Sequence, residues 1–272
     1  MTDLARIRDD LAEEQQVLDR IVSGLTPDQW AAPTPSEGWT VADQIGHLTY
    51  FDGAAAQAIT EPEAFAASID ELVRGGVDID ALTLHRGLAP PELLDAWRRN
   101  RARLAEAATG LDEGARVAWY GPSMSARSFL TARLMEVWAH GQDVVDAVGA
   151  HRDSSDRLAH IARLGVITRG WSYVNRGLPA PGGEVGVDLV APSGERWQFG
   201  PTDAPDRISG PAVDFCLVVT QRRNVEDTRL VVEGEAARDW MSRAQAFAGP
   251  ATDGPAPAGG PGRATAPGPG AG

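Results

Sequence analysis

Apolar residues recur at nearly helical spacing along the first part of the chain. Between Asp3 and about Ser23, charged residues alternate with six apolar residues that repeat at this spacing: Leu4, Ile7, Leu11, Val17, Leu18 and Ile21. A second helix is predicted to begin at Thr40, which forms a capping box with Asp43, and to run to about Ile59. Both segments are therefore predicted to be amphipathic helices.

Two further segments also favour long helices. Pro90 and Pro91 stand at a helix start, and the sequence that follows them, ELLDAWRRNRARLAEAA, is rich in strong helix formers. After a predicted loop, a fourth helix runs from about Arg127 to Ala147, with Ser123 or Ser125 as its cap. Four long helices within about the first 150 residues predict a helix bundle.

The second half of the chain has a different pattern. A helix is predicted near Arg157 to Asn175, followed by two alternating segments, EVGVDLVAP and ERWQFGP, that predict a hairpin turning at Pro192 to Gly194. DFCLVVTQ is a continuous apolar run whose periodicity allows either helix or strand. TRLVVEG predicts a strand and AARDWMSRAQAF a closing helix. This half is therefore predicted to be a mixture of helix and strand.

These patterns predict an α+β fold with two domains and a tail. The four-helix bundle occupies residues 1–150, and a smaller α+β domain occupies residues 151–248. In the tail, residues 249–272, 14 of the 24 residues are Gly or Pro, and bulky apolar side chains are almost absent. Burial cannot offset the entropy of ordering such a segment, so we expect it to be disordered.

The amino-acid composition excludes several classes of partner and enzyme. The formal charge of −13 and the pI near 4.8 disfavour nucleic acid and anionic membranes as partners. All 25 basic residues are arginine, which excludes Schiff-base lysines, pyridoxal phosphate attachment and the P-loop lysine. The acidic, amphipathic start and the absence of a long apolar run predict a cytoplasmic protein without a membrane span. The single cysteine, Cys216, predicts an ordinary buried thiol.

The most informative candidate chemistry lies in the fourth helix. Glu136, His140 and Asp143 are spaced by four and three residues, so they share one helical face on which they could bind a divalent metal. His47, on the second helix, supplies another imidazole from a face that it shares with Phe51. Two alternatives remain open: a helix-surface salt-bridge cluster of the first three residues with Arg133, and a core histidine satisfied by a carbonyl group for His47.

Two imidazoles and one carboxylate leave one tetrahedral position free, as expected for a catalytic rather than a structural metal. Asp143 is then predicted to be an outer acceptor or proton carrier instead of a fourth ligand. In the second domain, Arg222 and Arg223 follow the apolar run and could bind an anionic substrate, although a surface pair fits the pattern as well.

GWTVADQIGHL, followed about ninety residues later by EVWAHGQDV, resembles the DinB-like metal-binding bundle superfamily. Within that superfamily it more closely resembles the actinobacterial branch that includes mycothiol-dependent maleylpyruvate isomerase. The resemblance covers most of residues 1 to 250 and implies a divalent metal, usually Zn²⁺, held by His47, Glu136 and His140. It also implies an arginine contributed by the second domain, for which Arg222 is the best match and Arg223 its rival.

The resemblance implies a zinc-dependent enzyme that uses a low-molecular-weight thiol, mycothiol, against a small electrophilic or unsaturated organic acid. Isomerisation or S-transfer would follow from thiol addition, with Asp143 relaying protons and Arg222 neutralising a substrate carboxylate. We expect a monomer or homodimer. Two alternatives stay open at this stage: a thiol-independent metal-dependent hydrolase or lyase, and a non-catalytic protein that binds a metal or small ligand.

Overall fold

The computed structural model describes residues 3–76, 82, 87–121 and 123–259. The chain divides between Ile161 and Ala162 into two compact units. The boundary predicted from the sequence, after residue 150, is earlier than this division. The segment between the two boundaries belongs to the first unit, because ion pairs connect it to the first helix. Arg157 Nε lies 2.9 Å from Glu14 Oε2 in this segment, and a further pair joins His160 Nε2 to Asp10 Oδ2 at 2.7 Å.

The first unit is mainly helical. Its helices are α1 (Asp3–Val22), α2 (Pro27–Trp30), α3 (Val41–Thr60), α4 (Pro62–Arg74), α5 (Pro90–Thr109) and α6 (Ala126–Val148), and α7 (Leu158–Ile167) begins in this unit. Two short antiparallel strands, β1 (Arg116–Val117) and β2 (Met124–Ser125), precede α6. The loop predicted here therefore contains a small β-ladder.

The long helices α1, α3, α5 and α6 form the predicted four-helix bundle. Helix α1 packs against α5 and α6, and α3 packs against the same two helices. The core between them consists of fully buried side chains that include Ile7, Ile45, Leu48, Trp97 and Leu134. The α+β fold class is confirmed for the chain as a whole by this bundle and by the sheet of the second unit.

The ends of the two helices that carry the candidate ligands are fixed by local hydrogen bonds. Thr40 and Asp43 form the predicted capping box at the start of α3. Ser125 caps α6 by accepting from Ser128 N, and Gly149 ends that helix in the left-handed conformation at φ 63°. None of the helices in the described residues combines the length and apolar character needed to cross a membrane.

The second unit contains a four-stranded sheet and short helices. In chain order its elements are α8 (Arg169–Val174), β3 (Val185–Val190), β4 (Arg196–Phe199), β5 (Asp206–Pro211), α9 (Ala212–Val219), β6 (Val231–Glu233) and α10 (Glu235–Met241). The strand order is β4-β3-β5-β6, with β3 and β5 parallel and the other pairs antiparallel. The β3–β4 hairpin, the β6 strand and the closing helix match the predictions.

Several features of this unit differ from the sequence pattern. The apolar run is helix α9, and the predicted helix at 157–175 is divided at Thr168, whose hydroxyl bonds to the carbonyl group of Leu164 at 2.8 Å. Strand β5 was not predicted because only Ile208 is a buried apolar residue in its sequence, DRISGP. Its position depends on parallel pairing with β3, which is distant in sequence.

The tail is only partly outside the described residues. Residues 249–259 are hydrogen-bonded to the second unit: Asn224 Nδ2 donates to Pro255 O at 3.0 Å, and Ala258 N donates to Asp227 Oδ2 at 2.9 Å. Polar side chains after α9 thus bind backbone groups of this segment that burial would not stabilise, and the disorder expected for the tail stays a prediction. Residues 260–272 lie outside the described residues.

Candidate metal centre

Three side chains from two helices of the first unit converge. His47 lies in the second turn of α3, and Glu136 and His140 lie one turn apart on α6. One potential ligand atom from each residue lies within 4.8 Å of the other two. His47 is 7% exposed, and its ring centroid is 4.5 Å from that of His140. The packing of α3 against α6 therefore creates the cluster expected from the sequence.

Both imidazoles are held through Nδ1. His47 Nδ1 is 2.9 Å from the carbonyl oxygen of Leu82, and His140 Nδ1 is 2.5 Å from Gln44 Oε1. Because both partners are acceptors, each Nδ1 donates, which leaves the Nε2 of each ring as the nitrogen available to a metal. Metal-binding histidines have this arrangement, in which the non-ligating nitrogen donates to an oxygen atom.

The orientation of Gln44 is fixed by its own contacts. Its Nε2 donates to Thr34 Oγ1 at 2.9 Å, and the Thr34 hydroxyl donates to the carbonyl oxygen of Trp39, also at 2.9 Å. The amide oxygen is therefore the atom that faces His140. This chain of hydrogen bonds connects the α2–α3 link to the imidazole.

The charges of the cluster suit a metal. Burial, together with the nearby His140, lowers the pKa of His47 to about 3. Burial raises the pKa of the Glu136 carboxyl, but the His140 hydrogen bond and the nearby positive charges outweigh it and leave the pKa at about 2. A neutral imidazole and an ionised carboxylate are the states in which these groups bind metals.

The alternative of a salt bridge between this cluster and Arg133 does not match the contacts. Arg133 Nη2 lies 3.2 Å from Asp52 Oδ1, whereas Glu136 Oε2 lies 3.1 Å from His140 Nε2. The cluster thus offers two imidazole nitrogens and one carboxylate. Such a set leaves a coordination position free in known catalytic zinc sites.

Aromatic rings adjoin the two imidazoles. The Trp39 ring lies 5.1 Å from that of His47 and is stacked on that of His140 at 6.1 Å, and the Phe51 ring lies 4.5 Å from that of His47. The Tyr120 ring lies 5.6 Å from the Phe51 ring on centroids, and the Tyr120 hydroxyl donates to the Tyr50 hydroxyl. The centre therefore has an apolar border with a pair of phenol groups.

The remaining predicted site residues lie elsewhere. Asp143, one turn beyond His140, is buried and accepts a hydrogen bond from Ser36 Oγ at 3.2 Å. Arg222 and Arg223 lie in the second unit on the loop after α9, where Arg222 Nη1 donates to Thr220 O at 2.7 Å. The roles of Asp143 and Arg222 stay predictions. Cys216 is fully buried, and burial raises its pKa, as expected for an inert thiol.

Gln44 and Trp39 were not singled out from the sequence, although both had a signal. Gln44 lies three residues before His47 and therefore shares its helical face. Trp39 lies in the GWT segment of the motif, directly before the capping residue. From the sequence, Gln44 is interpreted as an ordinary core residue and Trp39 as a link residue. Nothing in the sequence indicates which imidazole nitrogen needs a hydrogen-bond acceptor.

Comparison with known proteins assigns the chain to a family. Two proteins of Mycobacterium tuberculosis, from different strains and both described as uncharacterised, are each 46% identical over 244 residues, which is 89% of this chain and 95% of theirs. The family profile of the mycothiol maleylpyruvate isomerase N-terminal domain matches residues 11–145. The chain belongs to the mycothiol maleylpyruvate isomerase-like, DinB-like family. The matched range contains all three residues of the cluster, and the resemblance drawn from the two motifs is confirmed.

Solved structures show the same fold. The crystal structure of mycothiol-dependent maleylpyruvate isomerase matches with a TM-score of 0.54 and 20% identity, over 81% of this chain and 90% of that one. A histidine-to-alanine variant of that enzyme matches over the same shares, with a TM-score of 0.53 and 21% identity. Because 81% of the chain exceeds the length of either unit, the likeness in fold extends into both units.

Proposed function

We propose that this chain is a metal-dependent enzyme that acts on a small electrophilic or unsaturated organic acid, with mycothiol as cofactor or co-substrate. The observation that carries the proposal is the pair of imidazoles from different helices, each held through Nδ1, beside one ionised carboxylate. Family membership supports the thiol. Cis–trans isomerisation of an acid like maleylpyruvate, or S-transfer to such an acid, is the reaction class that we favour.

His47, Glu136 and His140 are the residues that would hold Zn²⁺ or another divalent ion. When bound, the ion supplies Lewis acidity and lowers the pKa of a coordinated thiol, so that a thiolate is available at neutral pH. Leu82 and Gln44 keep the two imidazoles in the required tautomer. The rings of Trp39 and Phe51 border the centre and reduce the access of water to it.

The reaction itself needs no oxidant or reductant. In an isomerisation, the thiolate sulfur bonds to one carbon of the conjugated double bond, and the π electrons move to the carbonyl oxygen. The former double bond is now single and rotates, and the returning electrons expel the sulfur. In an S-transfer, the adduct gains a proton at carbon and is released.

Two further residues have proposed parts. Arg222 would neutralise the substrate carboxylate, a task that a planar guanidinium performs with two parallel hydrogen bonds; Arg223 is its rival. Asp143 would act by orienting neighbouring groups or relaying a proton. Its hydrogen bond with Ser36 supports orientation, because Ser36 lies in the link that carries Trp39.

The first test measures metal content and turnover together. Protein purified without chelator should contain one divalent ion per chain by elemental analysis. His140→Ala should lose it, whereas His160→Ala, whose imidazole pairs with Asp10, should keep it. Cis–trans isomerisation of maleylpyruvate, followed by absorbance, should require both the metal and mycothiol. Unchanged metal in His140→Ala refutes the centre, and turnover without thiol refutes the thiol-dependent reaction.

A further inference from the structure

One buried carboxylate beside the cluster connects all four long helices of the bundle. Asp52 on α3 is 0% exposed. Its Oδ2 accepts from Gln15 Nε2 of α1 at 3.0 Å and from Trp97 Nε1 of α5 at 3.1 Å, and its Oδ1 accepts from Arg133 Nη2 of α6 at 3.2 Å. We call these four residues the Asp52 network. It fixes each long helix to α3 at one depth in the bundle.

The Asp52 network adjoins the candidate metal centre on both ligand-bearing helices. Asp52 lies five residues after His47 on α3, and Arg133 lies three residues before Glu136 on α6. The guanidinium carbon of Arg133 is 5.7 Å from the centroid of the Phe51 ring, which in turn lies 4.5 Å from the ring of His47. The ion pair therefore joins α3 to α6 within about one and a half turns of the cluster.

A contribution to folding stability does not by itself explain an ion pair at this buried position. Arg133 is 4% exposed, and its Nε has no hydrogen-bond partner among the residues that the structure describes. Removing such charges from water is costly, and apolar residues of similar volume often replace a buried ion pair without loss of stability. A directional contact, however, fixes the register between two helices in a way that apolar packing does not.

We propose that Asp52 and Arg133 are positioning residues of the metal centre. Their ion pair holds α3 against α6 so that His47 meets Glu136 and His140 with the three ligand atoms already close together. The inference rests on the proposed metal centre. It adds a function for two residues that are not among the proposed ligands and that lie outside the shell formed by Leu82 and Gln44.

The test separates metal affinity from folding stability. Zinc affinity is measured by competition with a chromophoric chelator, and the stability of the metal-free protein by urea unfolding. Two variants are compared with wild type: Arg133→Met, and the double variant Asp52→Asn with Arg133→Met. The double variant removes both charges but keeps an amide oxygen as the acceptor for Gln15 and Trp97. Arg157→Met is the matched control, because Arg157 also pairs with a buried carboxylate, Glu14, at 2.9 Å but contacts it on α1, which carries no ligand.

We expect Arg133→Met to bind zinc more weakly, by up to about 10-fold, the low end of the range for losing a direct outer-shell contact. The double variant should recover the urea midpoint of wild type but not its zinc affinity, and Arg157→Met should keep that affinity. Wild-type affinity in the double variant, or an equal loss in Arg157→Met, overturns the inference. A wild-type protein that binds no zinc overturns the proposed centre itself, whereas tight binding by wild type and Arg133→Met alike overturns only the positioning role.

Discussion

Replacing Gln44 by leucine should weaken metal binding while the bundle stays folded. Gln44 is 0% exposed, and its Oε1 accepts from His140 Nδ1 at 2.5 Å. Leucine has a similar volume, so the substitution leaves little cavity, but it removes the acceptor that fixes the imidazole tautomer. Loss of such an outer-shell partner typically weakens metal affinity by about 10- to 100-fold, which corresponds to about 1.4 to 2.8 kcal/mol.

Zinc competition with a chromophoric chelator measures this change directly. Gln44→Glu is the control, because a carboxylate oxygen still accepts the proton of Nδ1 and strengthens the imidazole as a ligand. We therefore expect the Glu variant to bind zinc at least as tightly as wild type. Equal affinity of the Leu variant and wild type would refute the assignment of His140 Nε2 as the ligand atom, as would an equal loss in both variants.

Three further perturbations test the site and its scaffold. Trp39→Ala, which removes the ring stacked on His140, should raise KM for the acid while zinc content stays unchanged, as judged by kinetics and elemental analysis. Leu134→Ala, at a 0% exposed core position, should lower the urea-unfolding free energy by about 2 to 5 kcal/mol. The hydrogen bond from Arg98 lowers the pKa of Asp19 from 3.8 to about 2. Because the folded-state pKa is the lower one, the stabilisation is present above about pH 4 and is lost as the pH falls towards 2, by roughly 1 to 2 kcal/mol given the exposure of Arg98. The stabilities of wild type and Asp19→Asn should converge over that range, and a constant difference would contradict the shift.

The sequence predicted well what depends on local pattern. The spacing of Glu136 and His140 puts both on one face of α6 whatever the rest of the chain does, and the Thr40–Asp43 capping box sets the start of α3 and thus the place of His47. The long helices follow for the same reason, since their apolar faces repeat every three to four residues.

Contacts between distant segments could not be predicted in this way. That Asp52 accepts from three other helices depends on the depth at which the helices cross, and no spacing within one helix encodes it. Strand β5 depends on pairing with β3, and residues 249–259 depend on side chains after α9. Asp143 fits the stripe of ionisable groups in the sequence, but in the structure it bonds to Ser36 of the α2–α3 link.

The most direct test of the central claim is a crystal structure of the zinc-loaded protein with anomalous data collected at the zinc edge. We predict one strong peak at about 2.0 to 2.2 Å from His47 Nε2, His140 Nε2 and a Glu136 carboxylate oxygen. A peak bound through either Nδ1, or one that lies away from these three residues, would contradict it.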